Sequence, residues 1–169
     1  MSLQSAQRHI ICMKWGTKYG PEYVNRLYAM VRRHLSGDFN MVCLTDDSSG
    51  IRSEVQCLPI PPLDLPPGIP ERGWTKLASF AQDLHGLRGT ALFLDVDVVI
   101  VGSMDGFFEV PGDFMIIHDY KRPWRITGNS SVYRYELGAH PDVLEYFRHN
   151  FDRIPVSYTH LRAHETKAN

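Results

Sequence analysis

The chain has 169 residues, of which 43 % are hydrophobic and 22 % are charged, as is ordinary for a globular protein with one core. Its formal net charge of −1 gives no strong positive field, which argues against nucleic-acid binding and adsorption to anionic membranes. No signal peptide is recognisable, and no apolar run approaches the roughly 18 residues that span a bilayer. We therefore expect a cytoplasmic protein with no nucleic-acid partner, no membrane span and no obligate protein partner.

The first third of the chain alternates apolar runs with one amphipathic segment. Residues 9–14, 39–45 and 54–58 are short apolar runs and are predicted to be strands. Between the first two runs, Pro21 suits the first position of a helix whose apolar residues recur at helical spacing. Gly37 then ends that helix.

Each cysteine lies in one of these apolar runs: Cys12, Cys43 and Cys57. None forms a CxxC or a mixed Cys/His metal pattern. We expect all three to be small buried residues of core strands.

The rest of the chain continues the alternation. Residues 59–73 hold six prolines and are predicted to be an extended surface loop, because proline lacks an N–H donor and fixes φ. Residues 74–84 and 141–151 have helical patterns. Three further apolar runs are predicted to be strands: 91–94, 98–101 and 114–118. Residues 128–135 are predicted to hold a turn and a strand.

This order of strands and helices predicts an α/β fold with a mostly parallel sheet flanked by helices. In such sheets, ligands bind beyond the carboxyl ends of the strands, near the point where the strand order reverses. Asp46, Asp95 and the loop 15–20 all follow predicted strands and are therefore candidates for a binding site.

Two acids, Asp95 and Asp97, lie within the apolar stretch LFLDVDVVIV. In a regular strand they would project from the same face, where two ionised carboxylates repel each other. A hard divalent cation such as Mg²⁺ or Mn²⁺ removes that repulsion and often binds carboxylates together with substrate phosphates. The pattern thus predicts metal-assisted chemistry on a phosphate ester or diphosphate. In the alternative interpretation, one Asp caps a turn and the other is solvated.

A first functional interpretation makes Asp95 a nucleophile. LFLDVDVV resembles the first motif of haloacid-dehalogenase-type phosphatases. That motif usually lies on the first strand of its domain, whereas about 90 residues precede it here. Such enzymes also need a downstream lysine and a second acidic pair. Between residues 98 and 154 the sequence offers one lysine, Lys121, and no adjacent acidic pair after it.

A second interpretation rests on a longer resemblance. ALFLDVDVVIVGSMDGFFE (91–109) resembles a segment of GT-A glycosyltransferases, especially the family 8 type that includes glycogenin-like and bacterial lipopolysaccharide enzymes. TKLASF (75–80) is similar to the helix upstream of that segment, and GNSSVYRYE (128–136) to an element lining the donor-sugar and acceptor side, although Ser131 stands where glycine is usual. The resemblance covers about residues 9–154 and implies a GT-A-like (Rossmann-like) fold, incomplete at the C-terminus.

The resemblance implies transfer of a sugar from a nucleotide-sugar donor, a UDP-sugar, to an unknown acceptor, with Mn²⁺ or Mg²⁺ as cofactor. Asp95 would contact the ribose or the metal, and Asp97 would ligate the metal through the diphosphate. Another ligand, often a histidine in this family, has no match before residue 154 and is expected in a missing segment. A chain without that segment could be an inactive nucleotide-sugar-binding remnant.

The loop after the first strand would meet the nucleotide. Lys14, Trp15 and Thr17 would lie near the base and ribose, and Trp15 would either stack on uracil or serve in packing. Asp46 would either accept a hydrogen bond from the base or cap a turn.

Further candidates are spread over the second half of the chain. Lys76 would either meet a phosphate or be a solvated helix residue, and Asn129 and Ser130 would either bind sugar hydroxyls or form a plain turn. Asp119 is the candidate general base if the enzyme inverts configuration. The loop YKRPWR (120–125) suits sugar or phosphate binding, and equally a basic surface loop.

Residues 155–169 are expected to be non-native. From Val156, the stretch VSYTHLRAHET back-translates to a string that resembles a transposase-type sequencing adapter. We therefore place the nucleotide-sugar-binding domain at 1–154, exclude the tail from fold reasoning and do not treat His160 and His164 as metal ligands.

Overall fold

The structure is a computed structural model, and it describes residues 7–67, 73–121, 124 and 127–151. The predicted non-native tail, with His160 and His164, lies outside these residues. The described elements are, in chain order, β1 (Arg8–Lys14), α1 (Pro21–His34), β2 (Asn40–Thr45), β3 (Val55–Leu58), a 3₁₀ helix (Gly73–Phe80), β4 (Thr90–Leu94), α2 (Gly106–Glu109), β5 (Phe114–His118), β6 (Gly128–Glu136) and α3 (Pro141–Asn150).

The strand order reverses beside β1. The sheet runs β3-β2-β1-β4-β6-β5, with parallel pairing from β3 through to β4, while β6 is antiparallel to both of its neighbours. The α/β prediction is therefore confirmed, and the sheet is mixed. Because the chain moves outward from β1 to β3 and then returns to the other side of β1, the switch point lies between β1 and β4.

One predicted strand is absent, and one predicted helix is shorter and of another type. Residues 98–101 pair with no strand among the described residues. They do alternate as a strand would, because Val99 and Val101 are exposed while Val98 and Ile100 are partly buried. An extended segment packed on one side has the same two-residue alternation as a strand, which explains the error. The predicted helix 74–84 is a 3₁₀ helix that ends at Phe80, and a turn follows in which Gly86 N–H donates to the Asp83 carboxylate.

Helix α1 covers one face of the sheet. Pro21 occupies its first turn, its buried residues are Val24, Leu27 and Val31, and Gly37 follows its end with a φ of +75°. These residues pack on side chains from β1, β2 and β4, and we call this cluster the α1-side core: Ile10, Cys12, Met41, Cys43, Leu92 and Leu94 are its main strand residues.

The other face carries a second cluster, the α3-side core. It is built from strand residues under the 3₁₀ helix and α3: Ile11, Met13, Val42, Leu44, Phe93, Tyr133 and Tyr135, with Trp74, Phe80, Leu144 and Phe147 above them. Strands β1, β2 and β4 are thus buried on both faces, which is why they read as continuous apolar runs.

The cysteines occupy one row across three neighbouring strands. Cys12 is in register with Cys43, and Cys43 with Cys57. All three thiols are free. The predicted burial is confirmed for Cys12 and Cys43, whereas Cys57, on the outermost of these strands, is only partly buried.

The proline-rich loop is more than a surface connection. In its described part, 59–67, Leu63 is buried in the α3-side core. Its neighbour Asp64 forms an ion pair with Arg148 on α3, with 2.9 Å between Asp64 Oδ2 and Arg148 Nη2. The described part of the segment is irregular and mostly exposed, as predicted for an extended loop, and Leu63 is the residue that anchors it in the core.

No helix in the described ranges combines the length and apolar character needed to cross a membrane.

The aromatic stack of the α3-side core generates a stability prediction. Phe93 is fully buried, and its ring centroid lies 4.8 Å from that of Tyr133 in a stacked arrangement. Phe93→Ala should lower the free energy of unfolding by about 3–5 kcal/mol, because the cavity adds to the lost transfer energy. Urea denaturation followed by circular dichroism would measure it. Tyr146→Ala, at an exposed position on α3, is the control and should cost less than about 1 kcal/mol. Equal losses would contradict this account of the core.

Candidate functional site

The predicted site residues gather at one edge of the sheet. β1, β2 and β4 are parallel, so their carboxyl ends lie together, and the antiparallel β6 begins at the same edge. Two segments border the switch point between β1 and β4: the β1 loop (residues 15–20) and the post-β4 segment (residues 95–105). This is where α/β sheets form their binding crevice.

Asp95 lies just past the end of β4 and is held by backbone and side-chain contacts. Its N–H donates to the Ser131 carbonyl at 2.9 Å, and its own carbonyl accepts from Val98 N–H at 3.3 Å. Its Oδ1 is 2.6 Å from Lys76 Nζ, and the two side chains are only 26 % and 18 % exposed. The ammonium therefore neutralises this carboxylate in a partly desolvated position.

Lys76 reaches Asp95 from the 3₁₀ helix on the α3 side of the sheet. Its Nζ also donates to the Ser130 carbonyl at 3.1 Å and lies 5.4 Å from the centre of the Phe93 ring. The alternative of a solvated helix lysine is therefore wrong. Lys76 is instead a fixed cation at the edge of the crevice.

Asp97 has a different partner. Tyr19, in the β1 loop, donates its hydroxyl hydrogen to Asp97 Oδ2 at 2.6 Å. Tyr19 packs on the α1-side core and contacts Tyr23 edge-on, with ring centroids 4.8 Å apart. This hydrogen bond ties the β1 loop to the post-β4 segment across the switch point.

The two acids therefore contact partners on opposite faces of the sheet. β4 ends at Leu94, and residues 96 and 97 form a turn rather than a strand, so the predicted same-face arrangement of Asp95 and Asp97 was wrong. The backbone turns because a longer buried strand would carry the carboxylates into the core. The turn predicted by the alternative interpretation is present, yet both carboxylates have specific partners.

The residues after β1 and β2 are brought together. Asp46 Oδ2 accepts a hydrogen bond from Gly16 N–H at 2.9 Å, which fixes the start of the β1 loop. Lys14 is buried and donates from Nζ to the Asp47 carbonyl at 3.1 Å. Trp15 is 38 % exposed and Thr17 is exposed, so both side chains are accessible to solvent.

The start of β6 adds two of the predicted residues. Asn129 Oδ1 accepts from Ser131 N–H at 2.9 Å, which is a local turn contact, while Ser130 is exposed and turns its carbonyl to Lys76. Thus Ser130 shares a partner with Asp95, whereas the described contact of Asn129 is within its own strand.

Asp119 follows the edge strand β5, two strands away from β4. Its N–H donates to the Thr127 carbonyl at 2.8 Å, and its Oδ1 accepts from Lys121 N–H at 3.1 Å. No described contact joins Asp119 to the acids after β4. Of the loop 120–125, Tyr120 and Trp124 are 70 % and 76 % exposed, and Arg122, Pro123 and Arg125 lie outside the described residues.

The donor chemistry of the acids suits a hard cation, because carboxylate oxygens are the ligands that Mg²⁺ and Mn²⁺ prefer. Within the described ranges, no group of three or more His, Cys, Asp or Glu side chains is placed to hold a metal ion. Asp95 and Asp97 could supply part of such a site if they exchanged their Lys76 and Tyr19 contacts for the ion.

No protein-family model matches the chain, and the search of curated proteins found no match.

Tyr19 is the participant that the sequence did not identify as a partner of the acids. It precedes Asp97 by 78 residues, and only the adjacency of β1 and β4 brings them together. The hydrogen bond to the Asp97 carboxylate, helped by desolvation, raises the pKa of Tyr19 above its ordinary value. The phenol therefore stays protonated, and the contact intact, throughout the neutral range.

Asp97→Asn should lower the pKa of Tyr19 towards its ordinary value of about 10, because a neutral amide no longer disfavours the phenolate. A ¹³C NMR titration of ring-labelled tyrosine would measure it. Asp113→Asn, an exposed change just before β5 at the other end of the sheet, should leave the Tyr19 titration unaltered. An unchanged pKa in Asp97→Asn would refute the contact.

Proposed function

We propose that the chain is a GT-A-type domain that binds a nucleotide sugar, a UDP-sugar, and transfers the sugar with the help of a divalent metal. The observation that carries the proposal is the pairing of two acids with a cation and a phenol at the switch point, Asp95 with Lys76 and Asp97 with Tyr19. The resemblance of residues 91–109 to family 8 enzymes supplies the reaction class.

Asp95 and Asp97 would hold Mn²⁺ or Mg²⁺ in this proposal. When bound, such an ion neutralises the charge that develops on the diphosphate leaving group as the glycosidic bond breaks. Both carboxylates follow the doubly buried strand β4, and their contacts with Lys76 and Tyr19 limit the motion of the two side chains. Limited motion favours binding in a set geometry.

Lys76 would contact the diphosphate from the α3 side of the sheet. Its ammonium contacts Asp95 and the Ser130 carbonyl and lies over the Phe93 ring. A diphosphate entering the crevice offers it oxygens with more negative charge than a backbone carbonyl, so Lys76 can pair with the donor while remaining near Asp95. Placed there, the lysine stabilises the same negative charge as the metal.

The β1 loop would bind the nucleoside. Asp46 fixes the loop through Gly16 N–H, and Trp15 presents an exposed aromatic face on which a uracil ring can stack. Lys14 and Thr17 flank that face in sequence. Ser130, Asn129 and the candidate base Asp119 would belong to the sugar side of the crevice, where β5 and β6 end and begin.

The first test is binding of UDP with and without Mn²⁺, measured by isothermal titration calorimetry. We expect UDP to bind in the presence of Mn²⁺ and at least about tenfold more weakly without it, because the ion joins the acids to the diphosphate. Asp97→Asn should abolish the metal dependence, whereas Asp113→Asn should retain it. Metal-independent binding would refute the metal site. Hydrolysis of p-nitrophenyl phosphate that is lost in Asp95→Asn would instead favour a phosphatase.

A second test concerns the competition between Lys76 and the metal. Lys76→Met should bind Mn²⁺ alone more tightly, by about two- to tenfold, because the ion need not displace the ammonium of a partly exposed ion pair. The same variant should bind UDP more weakly at saturating Mn²⁺. Electron paramagnetic resonance of free Mn²⁺ would measure the first affinity, with Lys121→Met as control. Unchanged or weaker Mn²⁺ binding in Lys76→Met would contradict this role.

A further inference from the structure

A cavity of about 370 Å³ lies beside Asp97, on the α1 side of the sheet. One wall is α1, through Tyr23, Arg26 and Met30, which share a helix face at spacings of three and four residues. The other wall is the post-β4 segment, through Asp97, Val98 and Val99. The volume falls within the range that small-molecule sites occupy.

The two walls are held together beyond the cavity. Ile100 N–H donates to the Met30 sulfur at 3.5 Å, and Met104 N–H donates to the His34 carbonyl at 2.8 Å. The post-β4 segment therefore runs along α1, with Val98 and Ile100 packed on the α1-side core and Val99 and Val101 exposed.

The lining combines apolar walls with one cation. Met30 and Val98 are partly buried apolar residues, and Val99 leaves 75 % of its surface exposed. The Arg26 guanidinium lies 5.9 Å from the centre of the Tyr23 ring, which orients it by a cation–π contact. A planar guanidinium with free donors is suited to a carboxylate, phosphate or sulfate group.

Asp97 connects this cavity to the proposed nucleotide crevice. The same carboxylate lines the cavity and accepts the Tyr19 hydrogen bond that crosses the switch point. A molecule in the cavity therefore lies next to the site of transfer. An anionic group of that molecule would pair with Arg26, the cation of the lining, because the Asp97 carboxylate repels negative charge.

We propose that this cavity binds the acceptor, and that the acceptor is a small amphiphile with an apolar body, one anionic group for Arg26 and a hydroxyl directed to Asp97. The acceptor role rests on the proposed function, whereas binding of an amphiphilic anion does not. The apolar body contacts Met30 and Val98, and the anion pairs with the guanidinium.

The probe is n-hexyl phosphate, below its aggregation concentration, compared with inorganic phosphate and hexyltrimethylammonium. Titrations are followed by NMR of ¹³C-methyl methionine, which reports on Met30. We expect hexyl phosphate to bind and shift the Met30 methyl signal, and the two comparison compounds to bind at least about tenfold more weakly, since each lacks one of the two contacts. Equal binding of the three compounds would overturn the proposal.

Two variants and a control locate the binding. Arg26→Gln should weaken hexyl phosphate binding roughly tenfold by removing the charge. Ala29→Phe, at an exposed cavity-lining position of α1, should block it by filling the space. Arg33→Gln, an exposed change on α1 outside the cavity, should bind as the unaltered chain does. Binding that survives both cavity variants would refute the site.

The UDP–Mn²⁺ titration separates the two proposals. If the chain binds UDP but not hexyl phosphate, the cavity assignment fails and the nucleotide-sugar function stands. If it binds hexyl phosphate but not UDP, the cavity is a ligand site and its acceptor role is overturned.

Discussion

Burial of β4 on both faces is the constraint on which the site depends. Leu92 and Leu94 pack in the α1-side core and Phe93 in the α3-side core, so no side chain of this part of the strand meets water. An unpaired carboxylate in that environment would cost several kcal/mol. The strand must therefore end at Leu94, and the acids that follow emerge at the edge of the sheet, where partners and solvent can compensate their charge.

The partner of each acid depends on which segment packs on the corresponding face of the sheet. Asp95 meets Lys76 from the 3₁₀ helix on one face, and Asp97 meets Tyr19 from the β1 loop on the other. Each contact stabilises one carboxylate without help from its neighbour. A cation shared by both acids has to compete with an ammonium and a phenol. In the proposed metal site, the affinity for the ion would therefore depend on the strength of those two contacts as well as on the acids themselves.

Short apolar runs were sufficient to predict most of the sheet. The buried strands β1, β2 and β4 have runs that no amphipathic helix would show, and the predicted boundaries lie within two residues of those in the structure. The same criterion failed at 98–101, since an extended segment lying along a helix buries alternate residues just as a strand does. Local pattern does not reveal whether an extended segment finds a hydrogen-bonding partner.

The contacts of the candidate site could be predicted only in part. That Asp46, Asp95 and the β1 loop would meet at one edge followed from parallel strand order alone. The pairing of Lys76 with Asp95 depends on how the 3₁₀ helix lies on the sheet, and Tyr19 reaches Asp97 only because β4 inserts next to β1. Such pairings join residues far apart in sequence, so neither spacing nor composition indicates them.

Asp97 belongs both to the crevice at the switch point and to the α1-side cavity. It belongs to the crevice through Tyr19 and to the α1-side cavity through its place in the cavity wall. A ligand that draws this carboxylate towards the crevice must weaken the Tyr19 contact and alter the charge that the cavity presents. If both proposed ligands bind, linkage requires the effect to be reciprocal: a ligand in the cavity would change the affinity of the crevice for its own ligand by the same factor.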